Sequence, residues 1–201
     1  MCGSVEAVSG WRKTQALIGI GLWALTMGGS GAAYAHKPFG FGSPPAAVLA
    51  AVRHGYGISE GPGPRNLYVF VDPNCPYCHR LFEQLQGRLA PAGVRVHWLV
   101  VGFLHASSPG KAAAILGARR PLAALLRSER GFRPRIGGGL APVPVRGRIA
   151  HELAVNDRLL AMTGDELVPT LVYRNTAGRA IIHQGIPIGP HGVRKLLSSL
   201  R

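Results

Sequence analysis

The feature that most constrains this chain is a cysteine pair, Cys75 and Cys78, set between a strand-like run and a helix-like one. Asn66 to Val71 (NLYVFV) is short, β-branched and aromatic, which predicts a buried strand. Asp72-Pro73-Asn74 stops that strand and can cap a following helix. Leu81, Phe82, Leu85 and Leu89 fall on one helical face, predicting a helix from about Cys75 to Leu89. The start of a helix presents unpaired N–H groups and a partial positive charge. A thiolate at Cys75 is stabilised there, so its pKa is expected below the ~8.5 of a free cysteine. Pro76 suits the first turn, where its missing N–H is not needed. The spacing lets one helical turn bring both sulfurs within disulfide distance. Cys75 is then the exposed attacking sulfur and Cys78 the more buried, resolving one.

The rest of the pattern places this unit in an α/β chain. Val94 to Val101 (VRVHWLVV) reads as a second strand, and two strands joined by a helix should run parallel. Between Leu104 and Glu166 the pattern turns helical, with pieces opening at Ser108-Pro109 and at Pro121. A Gly/Pro/Arg-rich loop over 131–148 follows, then a helix marked by Ile149, Leu153 and Leu160. Thr170 to Tyr173 and Ala180 to Gln184 flank a turn and read as a hairpin. Val193, Leu196, Leu197 and Leu200 make a closing amphipathic helix. The sum is an α/β sandwich over 66–201, with a helical insertion at about 104–166. Residues 36–65 are Pro/Gly-rich and read as a short N-terminal segment and linker, with one apolar stretch, Ala46 to Val52, able to form a helix.

Residues 1–35 read as a signal peptide. Arg12-Lys13 precedes an uncharged stretch whose core, Ala16 to Met27, is apolar, and Ala33-Tyr34-Ala35 supplies the small residues of a cleavage site. The competing reading is an uncleaved membrane anchor. Both put the remaining chain in an oxidising compartment, and cleavage leaves Cys75 and Cys78 as the only cysteines.

Composition narrows the alternatives. Three cysteines in 201 residues exclude a small disulfide-stapled scaffold, and a hydrophobic fraction of 47% argues against a disordered chain. A net charge of +14 would suit nucleic acid, an anionic membrane or acidic proteins. Export and the cysteine pair argue against nucleic acid, and the plainest reading of the insertion arginines is a solvated face, with acidic clients as the sharper one. For the cysteines, a structural disulfide closes too small a loop to constrain the unfolded chain much. A zinc site lacks a second cysteine pair, so no metal is expected. The strongest rival is c-type haem: His79 completes Cys-x-x-Cys-His, and Met162 offers an axial ligand. Against it, the motif sits between a strand and an amphipathic helix. A second element is Val168-Pro169-Thr170, a proline at the entrance of a strand, which is either an edge feature or a cis peptide.

From Asn66 to the C-terminus the chain resembles the thioredoxin-fold thiol:disulfide interchange proteins of the bacterial periplasm, and is most similar to the DsbG/DsbC group. The resemblance rests on Phe70-Val71-Asp72-Pro73-Asn74-Cys75-Pro76-Tyr77-Cys78, Leu99-Val100-Val101-Gly102, Ser108-Pro109 with Lys111 to Leu116, and Val168-Pro169-Thr170. It implies a mixed sheet flanked by helices and a cis-proline at Pro169 packed against the cysteines. Cys75 is then the nucleophile, Cys78 the resolver, and Val168, Pro169 and Thr170 the client-contacting loop. Asp72, Pro76 and Tyr77 are implied as supporting residues. No cofactor is expected. The implied partners are proteins bearing thiols or disulfides and a membrane redox protein, either a DsbD-like donor or a DsbB-like acceptor. Two departures are visible. The family's N-terminal dimerisation domain does not fit into residues 36–65, so a monomer is expected. Val168 stands where the isomerase branch generally has threonine, which keeps a DsbA-like monomeric oxidase as the alternative within the family.

Overall fold

The computed structural model describes residues 42–189 and 191–201. The signal-peptide reading therefore lies outside the described residues. Eleven elements follow in order: α1 (Pro45–Val52), β1 (Gly57–Glu60), β2 (Arg65–Val71), α2 (Pro76–Leu85), β3 (Val94–Val100), α3 (Ser108–Leu116), α4 (Pro121–Arg130), α5 (Gly147–Ala161), β4 (Thr170–Arg174), β5 (Ala180–Gln184) and α6 (Gly192–Ser199).

Five strands form one sheet in the order β1-β3-β2-β4-β5. β2 and β3 are parallel, from Arg65 against Val94 to Val71 against Val100, as two strands joined by a helix require. β4 lies antiparallel to β2, and β5 antiparallel to β4. Alternation along the central strands divides the core in two. Leu67, Val69, Val71, Val96, Trp98 and Val100 face a cluster shared with α2 and α6, while Phe70, Leu99 and Val101 face one shared with α1 and the end of α5. Both sides of β2 and β3 are buried, which is why these strands read as near-continuous apolar runs.

Three differences from the sequence reading have local causes. The apolar stretch Ala46 to Val52 forms α1 as read, but the segment read as linker after it contributes β1, which pairs antiparallel with β3. Only Ile58 of β1 is buried, so this edge strand carries almost no apolar signal. Its register is held instead by the Trp98 indole N–H, which donates to Glu60 Oε2 at 2.8 Å. Second, α2 ends at Leu85 rather than Leu89, because Gly87 adopts φ +71° and turns the chain. Leu89 nonetheless stays in the same core cluster. Third, α4 continues past Leu126 to Arg130, since Ser128 and Glu129, both polar, are buried.

Candidate active site: a cysteine pair at a helix start

β2 ends at Val71 in the middle of the sheet, and the three residues that follow deliver Cys75 to the head of α2. Asp72 builds that turn. Its Oδ1 accepts the Asn74 N–H at 2.8 Å, and its backbone carbonyl accepts the Cys75 N–H at 3.0 Å. Cys75 is the N-cap residue, in extended conformation, with Pro76 in the first turn. Its sulfur sits where a capping oxygen would, accepting the Cys78 N–H at 3.2 Å. When protonated, the same sulfur can donate to the Val168 carbonyl at 3.5 Å.

Both cysteines are free, and both are buried: Cys75 is 2% exposed and Cys78 1%. The expected exposed sulfur at Cys75 is thus corrected, because the Val168 carbonyl lies against it. The two thiols still differ in kind. The Cys78 side chain and the N–H groups of Cys78 and Tyr77 hold the Cys75 pKa below its ordinary value, outweighing burial and the nearby Asp72 charge. Burial drives the Cys78 thiol well above its ordinary value, reinforced by its hydrogen bond to Cys75 and by the charges of Cys75 and Glu129. One sulfur is prepared as a thiolate and the other as the thiol that donates to it.

Val168-Pro169 is a cis peptide, and its loop meets the cysteine pair through the Val168 carbonyl. The Pro169 carbonyl accepts the Gly185 N–H at 2.7 Å. Thr170, expected to face a client, is fully buried, and its hydroxyl donates to the Leu167 carbonyl at 2.7 Å. Its role is to brace the loop, since the first residue of a central strand has no free face. Tyr77 instead stands 58% exposed beside the pair, and Leu167, Phe103 and Leu104 are also exposed.

Asp72 sits where the sequence placed a supporting residue, and it is the hub of a buried polar brace. Oδ1 also accepts the Ser108 hydroxyl at 2.8 Å, while Oδ2 accepts the N–H groups of Phe103 and Leu104 at 2.9 and 3.1 Å. Asn74 Nδ2 donates to Ser107 and Ser108, and its Oδ1 accepts Lys111 Nζ at 3.0 Å. Lys111, itself buried, also donates to the carbonyls of Ile136 and Gly138, and burial lowers its pKa. Gly137, at φ +76°, has no room for a side chain: a Cβ there would lie 2.0 Å from Asn74 Oδ1. Sequence reasoning gave Asn74 only a part in stopping β2 and capping the helix, where the N-cap is Cys75 itself, and gave Gly137 no role. The only signal for Lys111 was its place in the Ser108-Pro109 to Leu116 resemblance, because a lone lysine in an alanine-rich helix otherwise reads as exposed.

The haem arrangement does not fit. The His79 ring is engaged on both edges, by Glu129 at 2.9 Å and Glu83 at 3.5 Å, and stacks on Phe132 at 4.4 Å. Met162 packs with the α1-side cluster, whereas Cys75 and Cys78 belong to the α2-side one. Among the described residues no group of three His, Cys, Asp or Glu is placed to hold a metal ion.

No family model matches the sequence. The chain is 34% identical over 124 residues to the thiol:disulfide interchange protein DsbG of Pseudomonas aeruginosa, covering 62% of this chain and 48% of that protein. It is 30% identical over 128 residues to DsbG of Escherichia coli, covering 60% and 48%. Among solved structures, a periplasmic thioredoxin-like protein from Salmonella enterica serovar Typhimurium superposes with a TM-score of 0.58 at 19% identity, over 76% of this chain and 94% of that one. The fold is thioredoxin-like. A thioredoxin-like oxidoreductase from Silicibacter pomeroyi agrees, with a TM-score of 0.55 at 17% identity, over 73% and 92%. The sequence likeness is to DsbG, and the chain spans about half the length of these curated relatives.

Proposed function

We propose that this chain is a DsbG-like thiol:disulfide oxidoreductase of the periplasm, exported through residues 1–35 and acting on proteins. The observation that carries the reading is the division of labour between the two sulfurs. Cys75 caps a helix with its sulfur and is held toward the thiolate, while Cys78 is kept as a buried thiol. In the reducing direction the Cys75 thiolate attacks one sulfur of a client disulfide and expels the other as a thiolate, leaving a mixed disulfide. Cys78 then loses its proton and attacks the Cys75 sulfur, releasing the second client thiol and leaving the pair oxidised by two electrons. A DsbD-like donor would return those electrons; a DsbB-like acceptor would instead run the cycle as an oxidase. The Val168–Pro169 loop lies against the reacting sulfur and is where an extended client chain would run.

The test is reduction of insulin disulfides by the purified protein with dithiothreitol as electron source. Cys75→Ser abolishes it, and Cys78→Ser accumulates mixed disulfides with clients. Trapping by Cys75→Ser instead would reverse the assigned roles, and no reduction by the unaltered protein would refute the reading.

A further inference from the structure

Beside the cysteine pair lies a cleft of about 360 Å³ that the exchange chemistry does not use. Its floor is Asn74, the residue before Cys75, and its walls include His105, Ser107, Pro134, Arg135 and Gly137. It exists because the loop after α4 folds back on the cysteine turn. The Gly138 N–H donates to the Pro73 carbonyl at 2.7 Å, and Lys111 holds the Ile136 and Gly138 carbonyls from below. The cleft is therefore tied to the turn that carries the reacting residue, and its exposed rim carries Arg135; Arg133, also exposed two residues back, lines the neighbouring cleft.

The electrostatics of the cleft are one-sided. No acidic residue lines it. The nearest carboxylate below, Asp72, is buried with its oxygens occupied by Asn74, Ser108, Phe103 and Leu104. Glu129, on the preceding helix, is buried and hydrogen-bonded to His79. Neither arginine has a carboxylate partner among the ion pairs of the described residues. The N–H groups of Asn74, His105 and Gly137 are spent on internal bonds, and the Ser107 hydroxyl accepts from Asn74 Nδ2, so an incoming carboxylate meets the Arg135 guanidinium, the His105 imidazole and the Ser107 O–H.

We propose that this cleft selects clients, accepting an acidic side chain that flanks the cysteine being exchanged. The inference rests on the thiol-exchange reading and adds its specificity. The cleft begins at Asn74, one residue before Cys75, and an extended polypeptide advances ~3.3 Å per residue, so a carboxylate close in sequence to the client cysteine is the group placed to meet Arg135. The cleft is large enough for one or two side chains but not for a folded surface. The exposed Ile136, which lines it, would cover the apolar part of the same client segment.

The experiment uses three peptides that differ only in the residues flanking one cysteine: Asp, Asn or Lys. Disulfide-linked to a chromophoric thiol, each is reacted with the reduced protein at low salt. Labelled and in thiol form, each is also titrated into Cys75→Ser by fluorescence anisotropy. The Asp peptide should exchange and bind about tenfold better than the Lys peptide, the scale of electrostatic steering. The preference should fade toward unity near 1 M salt, where the screening length falls to ~3 Å. Arg133→Glu with Arg135→Glu, both exposed and outside the core, should invert the order. Equal rates and affinities for the Asp and Lys peptides, or an order unmoved by the double reversal, would overturn the proposal. Selective binding to Cys75→Ser without exchange by the unaltered protein would instead uphold the cleft and refute the exchange reading.

Discussion

A sulfur that replaces an oxygen at a helix N-cap is an acid placed where its conjugate base is favoured. Cys75 gains from the N–H groups of Cys78 and Tyr77 and, most of all, from the Cys78 side chain. Those interactions favour the deprotonated form, so the midpoint of its titration moves to lower pH. Cys78 loses solvent entirely and moves the other way. With the reduced protein at pH 8 and iodoacetamide in excess, one equivalent of label is expected, on Cys75 alone, with a rate–pH midpoint below 9. Two equivalents at comparable rates would contradict the assigned asymmetry. The contribution of Cys78 can be isolated by replacement. Cys78→Ala removes the donor that lowers Cys75 most and should raise the midpoint, whereas Cys78→Ser keeps a donor and should raise it less. A midpoint unchanged in Cys78→Ala would assign the effect to the helix start alone.

At the level of elements, the cysteine turn is fixed by a polar brace joining β2, α3 and the loop after α4. Lys111 is its far anchor, and its ammonium satisfies Asn74 Oδ1 and the carbonyls of Ile136 and Gly138. Lys111→Met keeps the stem and leaves those three acceptors without their donor. Buried unsatisfied groups cost about 1–3 kcal/mol each before relaxation, so a loss of roughly 3 kcal/mol in urea unfolding is expected. A loss below about 0.5 kcal/mol would show that the brace is not a stabilising unit. This brace marks where the sequence stopped being legible. The central strands could be read because burial on both sides makes them short apolar runs, and the closing helix because it buries a periodic apolar face. The cysteine pair could be read because its spacing and its place after a strand admit few chemistries. Asn74, Ser108 and Lys111 are polar, scattered over 34 to 37 residues, and acquire meaning only when the fold joins them. β1 escaped for the opposite reason: an edge strand with one buried residue has too little pattern to find.

For the whole molecule, the state of two sulfurs is linked to the stability of every element. In the folded dithiol form the Cys75 pKa lies below its unfolded value, and in the disulfide form neither sulfur titrates. An acid whose folded pKa is depressed contributes stability that is fully present above its unfolded pKa of ~8.5 and is lost as pH falls through the folded value. The raised Cys78 pKa acts in the opposite sense and only at higher pH, where an unfolded thiol would ionise and the buried one cannot. The disulfide's own constraint on the unfolded chain is small for so short a loop and does not vary with pH. The melting temperature of the reduced protein minus that of the oxidised protein should therefore rise as pH increases from about 5 toward 8.5, and then level or fall as the Cys78 effect sets in. By the same cycle, holding Cys75 as a thiolate favours the reduced form, so a reduction potential less negative than that of an unstructured pair of the same sequence is expected. Calorimetric scans of both redox forms across that pH range check the sign directly. A difference that falls steadily from pH 5 to 8.5 would show that Cys75 is not held as a thiolate, and would remove the basis for assigning it as the attacking sulfur.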